Sequence, residues 1–167
     1  QTGVDAFSST GFVPRDKISS LGAPRMDPFV RKIKNFKPQS RSHKQVSFFT
    51  FLLDSRQDQP LYSFFRDVHL IIAELAVENP NVEFVIKSKP NYWRTWHHLA
   101  THVWREARFE LKNMPNLKMV QDADPQDMIF NCDVVCAFNS TTMLEAGLAA
   151  KPVVVPYFGA MRGADYV

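Results

Sequence analysis

Three hydroxyl side chains in a row, Ser140, Thr141 and Thr142, follow an apolar stretch (Asp133–Ala137) and open a segment, Thr142–Ala150, that reads as a helix. Hydroxyls at such a turn can donate hydrogen bonds to anionic oxygen. The first amides of a helix, unpaired and at the positive end of its dipole, favour the same ligand. Glu145 lies about one helical turn further on. Together these residues have the anatomy of a nucleotide-diphosphate site. Lys87 and Lys89 flank the end of a second apolar stretch, Val82–Ile86, where a lysine can neutralise a phosphate as a compact point charge. Arg25, in the turn GAPRMD, is a further phosphate-binding candidate, with Asp27 beside it as a helix cap.

Other constellations invite chemistry and point elsewhere. Asp122 and Asp124 have the D-x-D spacing that can hold a divalent ion across two phosphates. However, Asp124-Pro125 reads equally as a helix N-cap followed by proline in the first turn, and no metal is expected. Cys132 and Cys136 lack the paired C-x-x-C spacing and accompanying histidines of a zinc site. They are expected to be buried, reduced thiols, in keeping with a cytoplasmic compartment. His97, His98 and His102 lie among Trp93, Trp96 and Trp104 without an HExxH string, so they are read as surface histidines of a helix that covers a sheet. A face that buries against a partner domain is the alternative.

The elements that must position these residues alternate in type. Gln45–Leu53 is rich in aromatic and β-branched residues, as a buried strand requires, and Asp54–Pro60 is a polar loop on its carboxyl side. Leu61, Phe64, Phe65, Val68, Ile72, Leu75 and Ala76 recur at helical spacing up to Asn79-Pro80. Strands at Val82–Ile86 and Leu117–Val120 bracket a helix over Tyr92–Lys112. A short helix then leads into strand Asp133–Ala137, and strand Val153–Pro156 follows the helix after the hydroxyl turn. Gln1–Ser20 reads as irregular, with a short strand at Ile18–Leu21, a helix from Asp27-Pro28 to Ile33 and a linker over Lys34–Lys44. The expected fold is α/β, a Rossmann-like parallel sheet with helices on both faces. Its expected domains are 1–44 as N-terminal segment and linker, and 45–167 as the Rossmann-like unit.

Composition excludes several classes. The chain has 167 residues, 45% hydrophobic and 22% charged, which describes a globular protein rather than a disordered one. It contains no run of about 18 apolar residues such as a membrane-spanning helix needs. The net charge is only +3, but nine lysines and arginines concentrate between Arg15 and Lys44. They form a solvated segment, or a contact for an anionic membrane surface or a phosphorylated acceptor. No nucleic-acid motif accompanies them, so no nucleic-acid partner is expected.

The string CDVVCAFNSTTMLEAGLAAKPVVVP, preceded in order by GAPRMD (Gly22–Asp27) and FVIKSKP (Phe84–Pro90), resembles the C-terminal donor-binding domain of GT-B glycosyltransferases. It is similar in particular to the bacterial surface and capsular polysaccharide type, and more distantly to CDP-glycerol glycerophosphotransferases and UDP-GlcNAc 2-epimerases. The resemblance implies a transferase that moves a sugar from a nucleotide-sugar to a glycan or lipid-linked acceptor, without a cofactor or metal. It would be cytoplasmic or peripheral at the inner face of the membrane. It also implies an N-terminal acceptor domain ahead of Gln1 that supplies the catalytic base. Ser140, Thr141 and Thr142 would bind the donor diphosphate, Glu145 the ribose hydroxyls, and Val120–Ala123 the base. Two positions depart from the pattern. Lys89 stands where the family has histidine, and Ala137 stands where many retaining members carry a glutamate. A nucleotide-sugar 2-epimerase and a non-catalytic nucleotide-binding scaffold of the same fold are the alternative readings.

Overall fold

The computed structural model describes residues 2–19, 24–37, 40–51, 60–138 and 140–157. The chain divides into two compact units, Gln1–Lys34 and Asn35–Val167. In the first, helix α1 (Thr2–Ser9) replaces the irregular segment expected there. Gly3 and the serines suggested a loop, yet the Ser8 hydroxyl donates to the Asp5 carbonyl at 3.1 Å and so is accommodated inside the helix. Ile18 and Ser19 are not in a strand, and the remainder of the strand expected at Ile18–Leu21 lies outside the described residues. Pro24–Met26 forms a 3-10 turn that runs into helix α2 (Asp27–Asn35), two residues longer than its sequence signal.

The second unit is a five-stranded parallel sheet of order β3-β2-β1-β4-β5. Its strands are β1 (Lys44–Phe49), β2 (Val82–Lys87), β3 (Leu117–Val120), β4 (Val134–Ala137) and β5 (Val153–Val154). Helices α3 (Pro60–Glu78) and α4 (Trp93–Glu106) link the first three strands and pack on each other. The short helices α5 (Pro125–Asn131) and α6 (Thr142–Leu148) link the last three and likewise pack together. The chain steps outward from β1 to β3, crosses back, and steps outward again through β4 to β5. With right-handed crossovers the two helix pairs therefore fall on opposite faces. This is the α/β, Rossmann-like architecture expected from the sequence.

Phe48, Phe64, Phe65, Val68, Ile86, Trp96, Val103 and Trp104 form the core between the sheet and the α3–α4 layer. The polar side chain of His69 is buried beside it. His69 is fully enclosed, and its Nδ1 lies 2.7 Å from the Phe65 carbonyl. Its Nε2 accepts from the Trp96 indole at 3.0 Å, and the Trp104 indole donates to its carbonyl at 2.8 Å. Trp96 and Trp104 are thus core residues that bolt α4 to α3. His98 is exposed, and His102 pairs with Glu106 at 3.4 Å along the helix surface.

Helix α4 stops at Glu106 rather than at Lys112. Arg108 adopts φ 63°, the Phe109 N–H donates to the Trp104 carbonyl, and the Arg108 N–H donates to the Arg105 carbonyl. These bonds form a Schellman stop with arginine where glycine is usual. Ala150, at φ 53°, ends α6 in the same way through Lys151 and Ala146. Neither stop has the glycine that would have announced it.

Candidate functional site

The topological switch point lies between β1 and β4, because the connection leaving β1 runs toward β2 and the one leaving β4 runs toward β5, in opposite directions along the sheet. Open α/β sheets bind ligands at the carboxyl ends of the strands at such a point. A cavity of about 620 Å³ lies there, within the usual range for small-molecule sites. Phe49 and Thr50 line it from the end of β1, Lys87–Pro90 from β2, Gln121–Pro125 from β3, and Ser140–Thr142 from the turn after β4.

Five of the residues singled out from the sequence therefore meet in one place: Lys87, Lys89, Ser140, Thr141 and Thr142. Lys87 is not an ordinary strand-end lysine. It is only 7% exposed, and its Nζ donates to the Gln121 carbonyl at 2.7 Å. Burial pushes its pKa down, while the carboxylates of Asp122 and Asp124 pull it back up. Lys89 is exposed at the rim and leads into a 3-10 turn, Pro90–Tyr92. On the opposite wall, the Ser140 Oγ accepts from the Thr142 hydroxyl at 2.8 Å and from the Thr142 N–H at 3.3 Å. That arrangement leaves the Ser140 O–H free to donate to a ligand, alongside the Thr141 hydroxyl.

The amides of α6 depart from expectation. Met143, Leu144 and Glu145 donate their N–H groups to the Ser140 and Thr141 carbonyls. The turn tightens and satisfies the groups that a bare helix start would leave open, so the anion-binding capacity of this turn resides in its hydroxyls. Thr141 caps the helix without a side-chain bond.

Glu145 does not line the cavity. It is half-buried beside α5, where the Gln126 amide donates to its carboxylate at 3.5 Å. The side chain of Arg25 lies outside the described residues. Asp124 carries out the capping its sequence context suggested: its carboxylate accepts from the Asp127 N–H at 2.9 Å, with Pro125 at the first helical position. Among the described residues no cluster of three or more metal-ligating His, Cys, Asp or Glu side chains occurs. Cys132 and Cys136 are free thiols whose pKa values are raised by burial, that of Cys136 to about 11.

Sequence reasoning missed Thr50 and Ser88 as lining residues. The signal for Thr50 was present: it is the lone hydroxyl in the apolar run FFTFLL. Reading that whole run as strand concealed that β1 ends at Phe49 and leaves Thr50 at the cavity.

Fold and cavity together define a Rossmann-like α/β domain with a cavity at its switch point to which lysines and hydroxyls contribute. No protein-family model and no curated protein matches the sequence. Among solved structures the chain is similar to KpsC of Thermosulfurimonas dismutans, a beta Kdo 2,4 transferase, at 20% identity and a TM-score of 0.43. The match covers 81% of this chain and 46% of that protein, so the chain spans less than half the length of its structural neighbour. A likeness of this size does not identify a ligand or a reaction. Among the described residues no helix is long and apolar enough to cross a membrane.

Proposed function

We propose that the cavity at the carboxyl ends of β3, β2, β1 and β4 is the nucleotide-sugar site of a GT-B type glycosyltransferase. The observation that carries this reading is the convergence of Lys87, Lys89 and the Ser140–Thr142 hydroxyls on one cavity at the switch point. Lysines and hydroxyls on facing walls suit a diphosphate lying between them. Gln121–Pro125, at the outer end, suit the nucleoside, whose polar edges find backbone and side-chain groups there. In the transfer step the bond between the sugar and the diphosphate breaks, and negative charge grows on the leaving oxygen. A partly desolvated ammonium such as that of Lys87 stabilises that charge more than an exposed one does. The acceptor is a glycan or lipid-linked hydroxyl, and its general base comes from outside the cavity lining, on an acceptor domain. Surface-polysaccharide synthesis at the inner face of the membrane is the setting the sequence motifs imply.

The test is calorimetric titration with UDP, CDP, GDP and CMP, repeated on Ser140→Ala and Lys87→Met. Binding of one nucleotide by the parent protein, weakened by each substitution, is the expected result. A folded protein that binds none of them, or binds them equally well after both substitutions, would contradict the donor-site reading.

A further inference from the structure

We propose that Thr50 is a phosphate-binding residue of this cavity; the proposal rests on the nucleotide reading above and adds a contact to it. The Thr50 hydroxyl oxygen is shielded from solvent and has no hydrogen-bond partner among the described residues. Folded proteins rarely leave a buried hydroxyl unpaired, because its bonds to water are lost without replacement. Where they do, the group calls for an explanation such as a ligand.

Its placement supplies one. Thr50 follows directly on β1, at the switch point, between the lysine wall and the hydroxyl wall of the cavity. Its backbone N–H donates to the Lys87 carbonyl at 3.0 Å, which fixes it beside that lysine. The next residue, Phe51, packs its ring against Phe64 and Phe138 at centroid distances of 5.1 and 5.5 Å. Phe138 in turn lies just ahead of the Ser140 turn. The residue is thus held from both sides, and its hydroxyl is the mobile part. One staggered step about Cα–Cβ carries the hydroxyl of a threonine into the position its methyl held, and the methyl into that of the hydrogen. Such a step gives Thr50 the means to present an O–H donor to a phosphate that Lys87 and Ser140 also contact.

Among the described residues nothing uses the hydroxyl, so valine, which has the same shape, serves the fold as well. This separates a binding role from a structural one. Thr50→Val is expected to unfold at the same temperature as the parent or a higher one. It should bind the preferred nucleotide about tenfold or more weakly, as loss of a hydrogen bond to a charged group predicts. Its affinity for the matching nucleoside without phosphate, followed by ligand-observed NMR, should not change, and Thr50→Ser should retain most of the nucleotide affinity.

Unaltered nucleotide binding by Thr50→Val would overturn the proposal. So would equal losses for nucleotide and nucleoside, or a variant that is markedly less stable or does not fold, since each would mean that the hydroxyl serves the structure. If the parent protein binds no nucleotide, the donor-site reading falls and this contact falls with it. If the parent binds and the valine variant binds equally, only Thr50 is excluded.

Discussion

Lys87 shows how a single residue acquires chemistry from its surroundings. Its ammonium is removed from water and held by the Gln121 carbonyl, with Asp122 and Asp124 near enough to favour its charge. Phosphate binding needs the charged form. Because burial lowers its pKa from the usual 10.5, nucleotide affinity should begin to fall, as pH is raised, below the range in which an ordinary lysine titrates. Titrations between neutral and alkaline pH test this; Lys87→Met should remove the alkaline slope and weaken binding by about 2 kcal/mol at neutral pH. An affinity independent of pH in the parent would mean that Lys87 does not face the phosphate. Ser140 and Lys89, which line the cavity, were legible as candidates from type and position alone. The burial of Lys87 was not, because it depends on the backbone that follows β3.

At the scale of elements, the α3–α4 layer depends on a neutral histidine. His69 is pushed down to about 4 by burial, against a partly compensating bond to the Phe65 carbonyl. The unfolded chain takes up a proton near the ordinary 6.5, well before the folded protein does. The contribution of neutral His69 is therefore fully present above about pH 6.5 and is lost as pH falls toward 4. The loss amounts to about 3 kcal/mol. Urea unfolding at pH 7, 5.5 and 4.5 should show this decline. In His69→Phe the decline should be shallower, from a starting stability about 1–3 kcal/mol lower, since the Trp96 N–H loses its acceptor. The left-handed helix stops give a second prediction at this scale. Arg108→Gly relieves a residue held at φ 63° and should raise stability by about 1 kcal/mol in denaturant unfolding, less a few tenths for the freer unfolded chain. No gain would mean that the arginine side chain compensates for its backbone.

At the scale of the molecule, the core cluster draws all its residues from Val46 onward, within the unit Asn35–Val167. A chain beginning at Asn35 should therefore unfold cooperatively and keep the parent's nucleotide affinity to within about threefold, a difference of about 0.6 kcal/mol or less. Loss of the near-UV circular dichroism signal on that truncation would show that the first unit is needed for packing. The apolar surface is not evenly covered: Leu144, Leu148, Val154, Val155 and Tyr157 are exposed on α6 and along the β5 edge. A second crevice, of about 310 Å³ and walled by Val46, Phe48, Ile72, Phe84, Val134 and Cys136, opens between the sheet and α3.

The succession of strands and helices from β1 to β5, and the candidacy of the hydroxyl turn and the two lysines, were legible in the sequence alone. Such features repeat with the period of the local backbone, and a parallel α/β sheet allows few ways of joining them. The tertiary structure decided which polar atoms meet. The register that sets Phe49 against Lys87 brings Thr50 to the Lys87 carbonyl. Helix packing placed Glu145 beside Gln126 instead of in the cavity, and it enclosed His69 between two tryptophans. Partners of that kind come from segments far apart in the chain, and no local pattern encodes a distance between them.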